Sequence, residues 1–526
     1  IRDRAKTNGT AAFGTDLDKT QWPGLQYAAL QMCPYLGGRL VKVDDAAAKA
    51  LRGVRSVHVF ADWPTPAVAV VADTTWQALR GAQALKIEWD AGLNTGLSDE
   101  QMRQTLSSLL DEGDRTAFRR TGDAQARLAS AQQTLKAEYE VPPLAHAPME
   151  TLNATALFKD GKLTLWTGTQ VPILARWRAS QIADIDIENV TLHVPFLGGG
   201  FGRRLEVDVV EQVTHLALKM PGTPVQLLWT REQDLRHDMV RPPALARLEA
   251  RLDGGQLDAL HIRVCAPSLS DGTFRRLFPL SMTEHLPAMP DKVQIEGAYD
   301  LPYAIEHQLV EQVLAPSPLA IGSWRSVGHS YNAFFTECFV DEVAQALQKD
   351  PVQWRRERLA KRPRHLAVLD EVARVARWDE PPAAGRARGV ALHECFGSIC
   401  AQVAEVSLVD GKPRVHRITC ALDAGTLVHP DTVKAQLESA IVFGLSAALW
   451  GQVPVHHGEV SLKGWSDYPV VRMADMPEID ISLIASTEEP GGVGEPGTPP
   501  VAPAVVNALA RLEGQRRRRL PLMPKR

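Results

Sequence analysis

One carboxylate, Glu495, stands inside a run of glycines and prolines, Gly491-Gly492-Val493-Gly494-Glu495-Pro496-Gly497. Backbone this bare of side chains can come close to a ligand and carry a single acid to it, the construction of a loop that serves as a general base. The plainer reading is a solvated loop glutamate. A second run, Gly198-Gly199-Gly200-Phe201-Gly202-Arg203-Arg204, can be tested against phosphate motifs by spacing. A dinucleotide fingerprint needs glycines at i, i+2 and i+5, but from Gly198 the third position falls on Arg203, and from Gly200 on Leu205. No G-x-x-x-x-G-K-[ST] is present either. What remains is a tight turn with Arg203 and Arg204 available for oxyanions.

Other chemistries lack their residues. Gly328-His329-Ser330-Tyr331-Asn332 nearly makes a nucleophile elbow, but Asn332 stands where G-x-S-x-G needs glycine, which disfavours a serine hydrolase. Among 15 histidines there is no H-E-x-x-H, and His456-His457 are adjacent, so they do not share a helix face. Six cysteines lie apart with no C-x-x-C, which argues against a zinc ribbon, a thioredoxin-like site or an iron–sulfur cluster and leaves most of them as core residues. The basic run Arg516 to Arg519 lacks interleaved aromatics and reads as a solvated or partner-facing tail, not a nucleic-acid patch.

The elements that position these loops show in the periodicity. Val190, Leu192, Val194 and Phe196 alternate as a strand into the first glycine loop, and Val210, Val213, Ala217 and Met220 follow at helical spacing until Pro221-Gly222. That loop joins a strand to a helix. Ile479, Ile481 and Leu483 alternate ahead of the second loop, and Val505, Leu509 and Leu512 mark a closing helix. Elsewhere the pattern predicts strand, helix, strand over 67–89, with Asp73-Thr74 as the cap, then a polar stretch over 98–135. A strand follows at Lys162–Trp166, and Pro172 opens a helix. Phe335, Phe339, Val343 and Leu347 form a buried helix stripe, Asp350-Pro351 caps the next helix, and Asp431-Thr432 opens another.

At 526 residues the chain exceeds one core. We expect an α+β fold with domains over 1–95, 134–362 and 385–526. Lys+Arg 58 against Asp+Glu 62 gives net charge -4, too little basic field to hold nucleic acid. The apolar stretch Ala440 to Trp450 is short of the ~18–20 residues a membrane span needs.

Together the segments resemble the large molybdopterin-binding subunit of the xanthine dehydrogenase and aldehyde oxidase family, of the isoquinoline 1-oxidoreductase beta subunit type. They are Gly9 to Asp16, Ala69 to Trp76, His146-Ala147-Pro148-Met149-Glu150, Gly198 to Arg204, Trp324 to Gly328, Asp423-Ala424-Gly425 with Pro430 and Gln436, and Gly491 to Pro496 with Asn507-Ala508. The resemblance implies an α/β hammerhead domain and then a two-part molybdopterin-binding domain with the cofactor between the parts. The cofactor would be molybdopterin, plain or as the cytosine dinucleotide, with the metal held by the pterin and by no side chain. Gly199, Gly200, Phe201, Gly202, Trp324, Arg325, Gly492, Val493 and Gly494 would line it. Glu495 would be the general base of a hydroxylation that takes its oxygen from water. With no cysteine set for a cluster, a small 2Fe-2S subunit would carry the electrons away, with a cytochrome c subunit as a further carrier.

Three departures shape the expectation. The Gly-Gln-Gly segment that helps bind the pterin is absent, because Val409-Asp410-Gly411 leads directly into the Asp423 segment, so an upstream segment or another chain would supply it. The alternative is a degenerate or truncated non-catalytic subunit. The acid that anchors purines, four residues after the loop phenylalanine, is Leu205, and the stacking aromatic two residues after the arginine is Val327, which places both at the substrate pocket and disfavours purines. The first residue, Ile1, is not Met, so the chain reads as processed or a fragment. The resemblance implies export to the periplasm, with the cytoplasm as the alternative, and oxidation of an N-heteroaromatic compound or an aldehyde.

Overall fold

The computed structural model describes residues 4–17, 19–278 and 289–523. The run Ala67–Ala72 is buried throughout, and its alternate residues serve two cores: Ala67, Ala69 and Val71 face one, Val70 and Ala72 the other. Period-two alternation with both faces covered makes this an interior strand. It lies in a seven-stranded sheet ordered Val190–His193, Lys162–Trp166, Asn153–Lys159, Val225–Leu228, Gln26–Met32, Ala67–Ala72, Val54–Phe60. The helix Thr75–Ala84 packs on one face, its N-terminus capped by Thr74, whose hydroxyl accepts from Gln77 N–H. Residues 1–95, expected as a unit of their own, therefore share a sheet with 153–228: Gln26–Met32 pairs in parallel with Val225–Leu228. Strand pairing is non-local, and nothing in the first 95 residues marks it.

The polar stretch 98–135 carries regular structure of its own. It forms the helix Asp99–Glu112, the strand Thr116–Thr121 and the helix Ala124–Ala129. Met102, Leu106 and Leu110 bury one stripe of the first helix, enough apolar surface beneath a charged face. The strand is the edge of a five-stranded sheet ordered Thr116–Thr121, His307–Ala315, Gln256–Pro267, Ala244–Asp253, Thr134–Val141.

A third, four-stranded sheet runs Arg386–Cys395, Ser398–Val409, Lys412–Asp423, Glu478–Leu483. One apolar core spans it and the five-stranded sheet, and includes the helices His329–Ala346, Pro430–Trp450 and Val501–Glu513. The α+β expectation holds. The first of these helices is buried from His329 to Ala344, so its polar residues need internal partners. Glu337 receives Arg355 Nη2 at 2.7 Å, Tyr303 hydroxyl at 2.6 Å and Leu392 N–H at 2.9 Å. Asp341 and Glu342 receive the C-terminal arginines: Arg516 lies 2.8 Å from Asp341, and Arg518 2.5 Å from Glu342. Arg517 pairs with Glu513 and Arg519 with Glu140. The basic run is thus neither a free tail nor a partner surface, because each guanidinium neutralises a carboxylate of the chain itself. Helix Pro430–Trp450 starts at Pro430, with His429, not Asp431, as its cap. No helix among the described residues is long and apolar enough to cross a membrane.

Candidate active site

The strand Val190–His193 stops short of Phe196 and releases the first glycine loop, which Arg204 then fixes from beneath. Its guanidinium donates to Gly199 O at 2.9 Å, Gly168 O at 3.1 Å and Glu150 Oε2 at 2.9 Å, while Gly198 N–H donates to the same Glu150 oxygen at 2.8 Å. Arg203 turns to Asp208 and lies 3.0 Å from Asp238 Oδ1. Asp238 also receives His146 N–H at 2.5 Å, and His146 Nδ1 lies 3.0 Å away. Burial alone would raise the Asp238 carboxyl, but His146 and Arg203 outweigh it and hold it below its ordinary value. Both arginines are therefore spent on shaping the loop and are not presented to an oxyanion. Gly202, at φ +107°, packs so closely on Ser323 that a Cβ would lie 1.5 Å from its carbonyl oxygen.

Ser323 leads into Trp324-Arg325-Ser326-Val327, which clasps the second glycine loop. Arg325 Nε donates to Gly494 O at 2.7 Å, with Nη2 on the same oxygen, and reaches Ser439 Oγ at 3.1 Å and Gln436 Oε1 at 3.1 Å. Burial lowers the Arg325 guanidinium to about 10, against the pull of Glu495. Ser326 N–H donates to Glu495 Oε1 at 2.9 Å, and its hydroxyl to Glu495 O at 2.9 Å. To aim that N–H, Ser326 and Val327 both take left-handed backbone, φ +74° and +39°. For a β-branched residue this is strained, and it persists because the Arg325 clamp over-determines it. The loop's start is held from the other side: Gly492 N–H donates to Phe396 O at 2.7 Å and Ser398 Oγ to Gly492 O at 2.6 Å.

Two cavities flank this clasp. The first, about 520 Å³, is lined by Gly198, Gly199, Phe201, Trp324 and Ser439, and is mostly apolar. Across it Phe443 stacks between Phe201 and Trp324, with ring centroids 4.5 and 4.6 Å away. Sequence reasoning missed Phe443, because the helix carrying it is apolar on several faces and no spacing links it to Phe201. The second cavity, about 420 Å³, is lined by Arg119, Lys292, Glu296, His329, Glu394, Cys395, Phe396 and Gly397 among others. Leu205 and Val327 line neither. Val327 instead packs against the apolar cluster that includes Leu319, Ile321 and Tyr468. Val493 lies against the main core, and Gly494 has open space where a Cβ would stand. Ser330 gives its hydroxyl to Val327 O at 2.7 Å within the first helical turn, so it is no nucleophile.

Comparison with known proteins gives this geometry a family. A molybdopterin cofactor-binding domain matches residues 110–359, and a second molybdopterin cofactor-binding domain matches residues 340–477. The chain is 32% identical over 536 residues to the isoquinoline 1-oxidoreductase subunit beta of Brevundimonas diminuta, covering 99% of this chain and 67% of that protein. The chain belongs to the molybdopterin-binding subunits of the xanthine dehydrogenase family. It is also 30% identical, over 99% of its length and 70% of the other's, to the membrane-bound aldehyde dehydrogenase [pyrroloquinoline-quinone] of Gluconacetobacter polyoxogenes. Its fold matches quinoline 2-oxidoreductase from Pseudomonas putida 86 at a TM-score of 0.83 and 16% identity, over 100% of this chain and 96% of that one. This molybdopterin-binding oxidoreductase has the two-part arrangement expected of it.

The residues present fit a pterin cofactor. Gly199, Phe201, Trp324 and Ser439 bound a cavity open enough for a ligand, and Arg325 reaches its edge through Ser439. Where the second loop passes over helix Pro430–Trp450, Thr498 Oγ1 and Gln402 Oε1 are buried without a hydrogen-bond partner. Both atoms lie beneath the loop and line neither cavity. Among the described residues no cluster of His, Cys, Asp and Glu is placed to hold a metal.

The second cavity carries a pH-dependent contribution to stability. His329 Nδ1 and His393 Nε2 lie 2.9 Å apart, an approach that needs Gly297, at φ +85°, beside them. Burial lowers His329 to about 4 and His393 well below its ordinary value. Both stay neutral in the fold while both take protons near pH 6.5 once unfolded. Their stabilisation is complete above pH 6.5 and is lost as pH falls towards 4, at up to ~1.4 kcal/mol per unit for each. Chemical denaturation at pH 7 and pH 5 should show the loss; equal midpoints would contradict it.

Proposed function

We propose that this chain is the large subunit of a molybdenum hydroxylase that oxidises an N-heteroaromatic compound or an aldehyde, with oxygen from water. The observation that carries the reading is the Glu495 carboxylate, held at its Oε1 by Ser326 N–H at the end of the second glycine loop. The cofactor, when bound, accepts the two electrons of the oxidation. Oε1 is occupied, so the second carboxylate oxygen is left to take the proton of the attacking water. Arg325 keeps the loop carbonyl in place, and the strained Ser326 amide sets the direction of the base. A separate 2Fe-2S subunit, with a cytochrome c beyond it, would receive the electrons. The cytosine dinucleotide form of the cofactor and a periplasmic location complete the reading; both rest on the resemblance, and subcellular fractionation tests the second.

Purines are poor candidates. By the resemblance Leu205 matches the position of a purine-anchoring acid, although it lines neither cavity, and the neighbouring Glu206 is taken up by Arg276, at 2.9 and 2.6 Å. A charged hydrogen bond of that kind contributes ~1.5–3 kcal/mol, so its loss alone costs xanthine more than tenfold. A dye-reduction screen of the complete complex over purines, pyridines, quinolines and aldehydes should find activity within the last three classes, on an N-heteroaromatic ring or an aldehyde, and no useful xanthine turnover. Xanthine as the best substrate would overturn the reading.

A further inference from the structure

Helix Pro430–Trp450 uses two of its faces for different ends. Leu437, Ile441 and Leu445 enter the main core. Gln436, Ser439 and Phe443, spaced i, i+3, i+7 along another face, turn to Trp324 and Arg325 instead. Arg325 Nη2 donates to Gln436 O at 3.2 Å and to Gln436 Oε1 at 3.1 Å, and Nη1 to Ser439 Oγ at 3.1 Å. One turn on, the Phe443 ring meets the Trp324 ring at 4.6 Å and 21°. This face therefore holds the guanidinium with its polar residues and the indole with its apolar one. Phe443 is half-buried at the wall of the first cavity and belongs to none of the apolar cores formed by the described residues.

Phe201 stacks on the same ring at 4.5 Å and 24°. Two near-parallel rings at such distances cannot share one face, so Phe443 has both faces occupied and offers a ligand only its edge. It is a spacer, not a stacking platform. Phe201 needs such a support, because it holds left-handed backbone at φ +55°, a region sparsely open to a large side chain. Gly199 makes room for its ring: a Cβ there would stand 3.0 Å from Phe201 Cε2. Trp324 is the fixed end of the stack, 2% exposed, with Nε1 donating to Ala145 O at 3.2 Å. The stack therefore runs from a buried indole through Phe443 to the first glycine loop. The residue after the indole, Arg325, grips the loop of the base at Gly494 O.

We propose that Phe443 is a positioning residue for the oxidation: it sets the spacing between the first glycine loop and the Trp324-Arg325 clasp, and so keeps the Glu495 base in register with the residues that would hold the cofactor. This rests on the hydroxylase reading given above and deepens it. A reacting geometry displaced by ~1 Å loses up to ~10²-fold in rate, so a spacer of this kind governs turnover without touching substrate.

The test uses the complete complex with an artificial dye acceptor and the best substrate of the screen above. Phe443→Leu removes the ring from a half-buried site outside the main core and should fold. Its molybdenum content and KM should stay near wild type while kcat falls at least ~10-fold. Phe443→Met, which also lacks the ring, should behave alike, and Phe443→Tyr, which keeps both ring faces, should retain most of the turnover. In a Glu495→Gln background no base remains to be misplaced, so adding Phe443→Leu should cost less than ~3-fold more. Hydrogen exchange gives a readout apart from activity: peptides over 198–204 and 491–497 should both exchange faster in Phe443→Leu and neither in Phe443→Tyr. Wild-type turnover in the ringless variants, a fall that tracks lost molybdenum, an equal loss in both backgrounds, or unchanged exchange in the two loops would each overturn this proposal while leaving the hydroxylase reading intact. A molybdenum-loaded wild-type complex that oxidises no heteroaromatic or aldehyde would overturn the reading itself.

Discussion

Replacing Glu495 by glutamine is expected to lower turnover of the complete complex by at least ~10²-fold, the low end for a lost general base. The amide keeps the shape of the side chain, and its carbonyl oxygen can still accept the 2.9 Å hydrogen bond from Ser326 N–H. What it loses is the ability to take a proton. Loop position depends on Arg325 holding Gly494 O and on Ser326 Oγ holding Glu495 O, and neither bond involves the altered group. Molybdenum content should therefore match wild type, and the fall should appear in kcat. A variant that kept most of its activity would reduce Glu495 to a loop residue.

Gly202→Ala should fail for a different reason. At φ +107° the backbone lies outside the region open to alanine, which alone costs ~1–3 kcal/mol. The new Cβ would stand 1.5 Å from Ser323 O, a backbone atom that cannot swing away and that also lies 3.1 Å from His146 Nε2. Moving it adds an overpacking cost of ~1–3 kcal/mol and displaces the turn that starts the Trp324–Val327 clasp. We expect about 3–5 kcal/mol of lost stability and a several-fold fall in retained molybdenum. Gly222→Ala is the control: its φ of +82° is also left-handed, but nothing lies within 4 Å of the added methyl, so a loss of only ~1 kcal/mol is expected. Molybdenum analysis and denaturation of the two variants decide the matter, and equal behaviour would contradict the steric argument.

Much of this site was legible as composition and little of it as contact. Glycines at 198–202 and 491–497 announced close backbone approach, and the acid among them was the only ionisable group the second loop could offer. Alternation and helical spacing placed the strand before the first loop and the helix after it, though the strand ends at His193 because the chain leaves the sheet to meet Phe13. Arg203 and Arg204 read as ligand-binding cations, yet both are buried in ion pairs, since only a structure shows which carboxylates face them. The same applies to Arg516–Arg519, whose partners Asp341, Glu342 and Glu140 lie far away in sequence. Phe443, Phe396 and the His329–His393 contact were invisible for one reason: each acquires meaning from a neighbour supplied by another sheet or helix. Leu205 and Val327 matched a pattern position, but side-chain direction takes Val327 into the core.

The most direct test of the central claim is the origin of the oxygen in the product. The complete complex is given an oxidisable N-heteroaromatic ring and a dye acceptor in heavy-oxygen water under ordinary dioxygen, and the product is weighed by mass spectrometry. The account predicts that each product molecule gains one labelled oxygen, and that turnover continues when dioxygen is removed. Product oxygen that derives from dioxygen, or oxidation with no oxygen gained, would contradict it.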